Sequence, residues 1–227
     1  PMQLLAIDTS TEYCSAALWL DGEIRARRTL AGQQHSSLLL PMVDELLREA
    51  MLTLRQLDGI AYGAGPGSFT GLRIACAVTQ GLAFGADLPV IGISTLESIA
   101  EQAGADRTLT VLDARMAEVY WAAYERAGAG WRCLLEPVLS APEFVHVPYA
   151  GEWLGAGNGF AAVPLPQLEG VLARVEDHWV PDAAAIAVLA APALERGEGV
   201  DAALAAPIYL RDKVALTVEE RRQRKSA

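Results

Sequence analysis

Gly63-Ala64-Gly65-Pro66-Gly67-Ser68-Phe69-Thr70-Gly71-Leu72-Arg73 is the stretch on which the fold turns. It follows the apolar run Ile60-Ala61-Tyr62 and leads into residues 74–86, which carry no charged side chain. A strand that breaks into closely spaced glycines and then into a helix begun by serine leaves backbone N–H groups free at the helix start. Such a place is either an anion-binding loop or a joint where two backbones come close. The helix that follows favours the joint. A helix that is small or apolar on every side has to be covered on every side. Its own sheet covers one; the other asks for a second cover, which a partner protein can supply.

Within that helix Gly71, Ala75 and Thr79 fall along one side and Ala77, Gly81 and Gly85 along another. Small residues four apart let a neighbouring backbone approach closely and serve no purpose on a solvated face. The preceding helix, begun by Ser36 or Ser37, places Leu39, Met42, Val43, Leu46, Leu47, Ala50 and Met51 on one face, and Leu38 and Leu40 widen that face. An ordinary surface helix needs an apolar stripe of only about 100°, so this one also has apolar surface to spare. Pro41 removes a backbone donor and is expected to disturb its early turns.

Upstream, Leu4-Leu5-Ala6-Ile7 reads as a buried strand ending in the polar turn Asp8-Thr9-Ser10-Thr11. Strands at 15–20 and 23–29 meet across Asp21-Gly22, a strong hairpin signal. Downstream, a strand at 90–93 precedes Ser94-Thr95-Leu96-Glu97, a capping box for a helix ending near Gly104. The pattern then recurs. A strand at 109–112 runs into Asp113-Ala114-Arg115, and strands at 119–124 and 131–135 are joined by Gly128-Ala129-Gly130. Gly155-Ala156-Gly157-Asn158-Gly159-Phe160 echoes the central glycine stretch, with Asp113 in the place of Asp8. The reading is a duplicated, partly parallel α/β fold, with one lobe over residues 1–104 and a second over 105–227. The second ends in an alanine-rich helix at 183–195, a strand or loop at Ile208-Tyr209-Leu210-Arg211 and a charged tail.

The 227 residues are 52% apolar, enough to fill the cores of one large or two modest domains. A net charge of −10 repels phosphate backbones, so nucleic acid is expected only through another chain. Cys14, Cys76 and Cys133 form no metal-type or redox-type pair and read as small hydrophobes of a reducing cytoplasm. The apolar run at 183–191 stops at Pro192, short of the ~20 residues a bilayer requires, and no targeting pattern opens the chain.

A phosphate loop of the Walker kind needs a lysine directly after its last glycine, but the lysines are Lys213 and Lys225. Gly65-x-Gly67 is followed by Thr70 where a dinucleotide fingerprint has glycine. Zinc sites recruit histidine pairs from one helix face, whereas the neighbours of His35 at that spacing are Ala31, Gly32, Leu38 and Leu39. His146 and His178 have no convincing partner either, and no G-x-S-x-G is present. Asp8 and Asp113, each at a strand end, stand where a duplicated actin-like ATPase places metal and phosphate contacts. An aspartate there can equally just stabilise its turn. Arg221, Arg222, Arg224 and Lys225 could touch RNA or form a solvated tail.

Leu5-Ala6-Ile7-Asp8-Thr9-Ser10-Thr11, His35-Ser36, the central stretch from Gly65 to Arg73, and Tyr209-Leu210-Arg211 together resemble the TsaB family. Its members belong to the bacterial machinery that installs threonylcarbamoyladenosine beside the tRNA anticodon. The resemblance spans nearly the whole chain and implies the duplicated two-lobed actin-like α/β fold of sugar kinases and Hsp70-like ATPases. It implies a non-catalytic, glycoprotease-like scaffold that activates the paralogue TsaD. TsaD binds a metal through two histidines on its first long helix; only His35 stands in that region here. Carried over, the pairing surface comprises Leu39, Met42, Val43 and Leu46 with Ala75, Val78 and Leu82. Asp8, Thr9, Ser10, Gly65 and Gly67 become a remnant nucleotide site, with ATP or ADP possible at the interface with the partner. Also implied are a small ATPase, TsaE, a homodimer when TsaD is absent, and tRNA contact only through the complex. A stand-alone ATPase or kinase using Asp8 and Asp113, and a metallopeptidase, are the rival readings.

Overall fold

A computed structural model describes residues 1–211. In chain order the elements are β1 (Gln3–Asp8), β2 (Tyr13–Leu20), β3 (Glu23–Leu30), α1 (His35–Glu49), β4 (Gly59–Gly65), α2 (Phe69–Ala86), β5 (Val90–Ser94) and α3 (Thr95–Ala103). There follow β6 (Arg107–Asp113), β7 (Val119–Ala127), β8 (Gly130–Ser140), β9 (Leu154–Ala156), α4 (Gly159–Ala162), β10 (Arg174–Glu176) and α5 (Ala183–Glu195). The strands form two five-stranded sheets, ordered β3-β2-β1-β4-β5 and β10-β9-β6-β7-β8. In each, an antiparallel three-strand meander is extended by two parallel strands, so the second sheet repeats the first element for element. The expected hairpin forms at Asp21 and Gly22, both at positive φ as a two-residue turn of twisted strands requires.

Alternation along β1 assigns its residues to two cores. Leu5 and Ile7 join Leu18, Ile60 and Tyr62 under α1 and α2. Leu4 and Ala6 join Ala17, Ala61 and Ile93 on the opposite face. What covers that opposite face is α5, through Ala183, Ile186, Ala187, Ala190, Ala191 and Leu194. The lobe boundary near 104 therefore needs correction. The alanine-rich helix of the second half crosses back onto the first sheet, and Ala202 and Ala205 return further to the α1–α2 side. Small side chains let α5 lie close to the strands, and Asp182 caps it by accepting from the Ala184 N–H at 2.8 Å. Helix α3 covers the second sheet through Leu96, Ile99 and Ala100, and it also touches α5. The far side of the second sheet is closed by loop residues, among them Val145, Trp153, Val163 and Leu168.

Two local expectations differ from the structure. Helix α1 begins at His35 and runs through Pro41 without interruption. Ser94 precedes α3 but makes no side-chain cap; its hydroxyl instead meets the Tyr124 hydroxyl at 3.3 Å. Of the strand or loop left open at Ile208 to Arg211, the structure has the loop. The basic cluster at 221–225 lies outside the described residues.

Candidate functional site

The glycine stretch is a joint between the end of β1 and the start of α2. A Cβ on Gly71 would collide with the Thr9 carbonyl, and one on Gly67 would lie 2.7 Å from the Ser10 carbonyl. Glycine at both places lets the β1 turn rest on the helix start. Two hydrogen bonds fix it: the Thr9 hydroxyl donates to the Gly71 carbonyl at 2.6 Å, and the Ser68 N–H donates to the Ser10 carbonyl at 2.8 Å. Ser68 caps α2 by accepting from the Gly71 N–H at 3.3 Å.

Beside the joint, a cleft of about 350 Å³ opens between the lobes. Ser10, Thr11, Glu12, His35, Gly67 and Phe69 line it from the first lobe, and Asp113, Arg115, Tyr120 and Asn158 from the second. Residues 208–211 form part of its wall. His35 is held by a 2.7 Å contact between Nε2 and the Thr11 carbonyl. Among the described residues no three histidine, cysteine or acidic side chains converge as a metal-holding group.

Of the residues predicted to hold a nucleotide, only Ser10 and Gly67 reach this cleft. Asp8 does not. It shares the sheet face of Leu4 and Ala6, which α5 covers, and it is 1% exposed. Its Oδ1 accepts from the Ser10 N–H at 3.1 Å and from the Ser10 hydroxyl at 2.8 Å, while Oδ2 is buried without a partner among the described residues. Burial pushes this carboxyl up to about 7; the Ser10 hydrogen bonds oppose the rise, Asp182 adds to it, and Arg28 works against it. Thr9 is buried in the joint, and Gly65, at φ +121°, is covered by the Ile208 carbonyl. Asp8 is covered by α5, Thr9 by the start of α2 and Gly65 by the C-terminal segment, so these three do not stand with Ser10 and Gly67 on the cleft wall. Asp113 does line the cleft, but its Oδ1 accepts from the Arg115 N–H at 2.8 Å, the turn-stabilising role.

The helices predicted to meet a partner divide differently from the sequence reading. Leu39, Met42, Val43, Leu46 and Ala75 are buried in the chain's own core. They are not available to a partner, because helical periodicity turns them onto the first sheet. Val78 and Leu82 are half-buried at the edge of that core. Surplus apolar surface does exist, on other residues: Leu40 is 48% exposed, Phe84 85% and Met51 89%. Gly81 and Gly85 flank Phe84 on the exposed side of the helix, and among the described residues a Cβ at either would meet nothing within 4 Å. Phe84 escaped the sequence reading, although a lone aromatic between Gly81 and Gly85 on an uncharged helix was the available signal.

A family model described as TsaD, tRNA N6-adenosine threonylcarbamoyltransferase, matches residues 28–167. The Escherichia coli (strain K12) protein described as tRNA threonylcarbamoyladenosine biosynthesis protein TsaB is 42% identical over 223 residues, covering 94% of this chain and 96% of its own length. A Haemophilus influenzae protein of the same description is 38% identical over 226 residues, covering 94% and 95%. The solved structure of YeaZ from Pseudomonas aeruginosa superposes with a TM-score of 0.86 at 40% identity, over 92% of this chain and all of that one. With two sheets of repeated topology, that likeness makes the fold the two-lobed actin-like α/β type. Matched over nearly its whole length in both sequence and structure, the chain belongs to the TsaB family of tRNA threonylcarbamoyladenosine biosynthesis proteins.

Proposed function

We propose that this chain serves tRNA threonylcarbamoyladenosine biosynthesis as a non-catalytic subunit that pairs with the catalytic paralogue TsaD through the exposed side of α1 and α2. The observation that carries the pairing is the Gly81, Phe84 and Gly85 surface of α2. Glycine in an exposed helix interior costs stability of about 1 kcal/mol relative to alanine, and nothing among the described residues requires its smallness at 81 or 85. A neighbouring backbone seated against the helix does require it. Phe84, bare beside the two glycines, supplies the apolar anchor such a contact needs. In the absence of TsaD the same face joins two copies of this chain. TsaE and tRNA are reached through the complex, whose place is the cytoplasm.

The buried Asp8 agrees with a scaffold role and weighs against a stand-alone ATPase, since its carboxylate cannot reach a phosphate or metal in the cleft. The reading locates ATP or ADP at the surface shared with the partner. The test is co-purification with TsaD and formation of threonylcarbamoyladenosine by the reconstituted set. Phe84→Asp is expected to abolish both while the isolated chain keeps its melting temperature. Undiminished pairing of that variant would overturn the assignment of this face.

A further inference from the structure

The Tyr209-Leu210-Arg211 segment is left without a role by pairing through α1 and α2, yet it is tightly built. The Ala206 N–H donates to the Tyr62 hydroxyl at 3.0 Å, and the Ile208 N–H donates to the Ala64 carbonyl at 2.6 Å. The Tyr209 ring lies on Phe69 at the start of α2, 5.2 Å between centroids. To this point the chain is fastened to the first lobe. It then crosses the cleft. Leu210, half-buried, packs against the second lobe's core, and the Arg211 guanidinium donates to the Ala114 carbonyl at 3.1 Å and pairs with Glu118 at 2.7 Å. The Arg211 side chain is only 16% exposed.

What Arg211 grips is the turn between β6 and β7, where Arg115, Met116 and Ala117 follow one another at φ +62°, +57° and +57°. Three successive non-glycine residues in the left-handed region are disfavoured, because each Cβ crowds its own following carbonyl. The corresponding first-lobe turn, residues 9–12, contains none. Inside the second-lobe turn, Ala114 and Glu118 are joined by a single 3.0 Å backbone bond from the Ala114 N–H to the Glu118 carbonyl, and Arg211 clamps these same two residues from outside.

We propose that Arg211 is a latch across the cleft: it holds the β6–β7 turn in its strained left-handed form and thereby fastens the second lobe to the C-terminal strap of the first. Releasing it lets the turn relax and the lobes part on that side. Neither step involves the α1–α2 face, so this device stands or falls separately from the pairing.

Amide hydrogen exchange on the full chain tests it. In Arg211→Ala the protection of the Ala114 and Ile208 amides is expected to fall at least tenfold, with α1 and the second half of α2 unchanged. Adding Ala117→Gly, which makes a left-handed position free of side-chain crowding, is expected to return protection to Ala114 but not to Ile208. Unchanged protection in Arg211→Ala overturns the latch, and failure of Ala117→Gly to restore Ala114 overturns the strain it is said to hold. Should Arg211→Ala lose cooperative unfolding altogether, Glu118→Gln removes the ion pair and keeps the backbone contact. It is then expected to raise Ala114 exchange about threefold, and no change there counts against the latch.

Discussion

The carboxylate of Asp8 fills the space beside Gly63, so that a Cβ at position 63 would collide with Oδ2. The same burial that denies this oxygen a partner pushes the Asp8 carboxyl from 3.8 up to about 7. Between those two values the unfolded chain releases the proton and the folded chain keeps it, so stability falls as pH rises through that window and levels off above it. The loss from this group amounts to at most about 1.4 kcal/mol per pH unit. Asp8→Asn preserves the acceptor for Ser10 and cannot ionise. Its stability relative to the parent chain is expected to increase from pH 4 to pH 7 in denaturant titrations, and parallel curves across that range would contradict the assignment.

Glycines in α2 separate by what surrounds them. At Gly71 a Cβ meets the Thr9 carbonyl, a backbone atom that cannot swing aside, whereas at Gly81 it meets nothing. Gly71→Ala is therefore expected to destabilise the chain by about 2 kcal/mol or more through overpacking and loss of the β1–α2 joint. Gly81→Ala is expected to stabilise the isolated chain by about 0.5–1 kcal/mol through helix propensity. It should at the same time weaken pairing with TsaD, a combination that chemical denaturation and co-elution read separately.

How far the residues foretold the molecule depends on the range of the interaction. The Asp21-Gly22 hairpin, the glycine joint and the repeated meander rest on neighbours in the chain, and each was readable. The 183–195 helix was visible with its limits, because Asp182 caps it and its residues are nearly all apolar. Its destination was not. A helix that is apolar all round announces burial without naming the sheet that buries it, and α5 chose the first. The two roles left open for Asp8 could not be separated for the same reason, since its access to the cleft is closed by a helix some 175 residues away in the sequence, while its Oδ1 holds the Ser10 turn.

That crossover makes a prediction about autonomy. A chain ended after residue 104 keeps β1 to β5 but loses α5, leaving Leu4, Ala6, Ala17, Ala61 and Ile93 bare on one face of the sheet. It also strands Leu96, Ile99 and Ala100 of α3 without the second sheet. Such a fragment is expected to aggregate or to lack cooperative unfolding. A soluble fragment with a sharp thermal transition and dispersed amide resonances would show that the first lobe stands without α5.

Leu46 and Phe84 distinguish the two sides of the helical layer. Leu46 has no exposed surface and packs with Leu5, Ile7 and Leu18, so Leu46→Ala opens a cavity and is expected to cost about 2–5 kcal/mol. Phe84 is 85% exposed, and Phe84→Ala is expected to leave the stability of the isolated chain within about 0.5 kcal/mol. Affinity for the partner should reverse that order once folding is accounted for. Titration calorimetry with TsaD at a temperature where both variants remain folded is expected to show the larger loss for Phe84→Ala, because only that side chain is uncovered in the isolated chain. Equal affinities for parent and Phe84→Ala would move the contact off this side of α2, and the exposed glycines at 81 and 85 would then need another explanation.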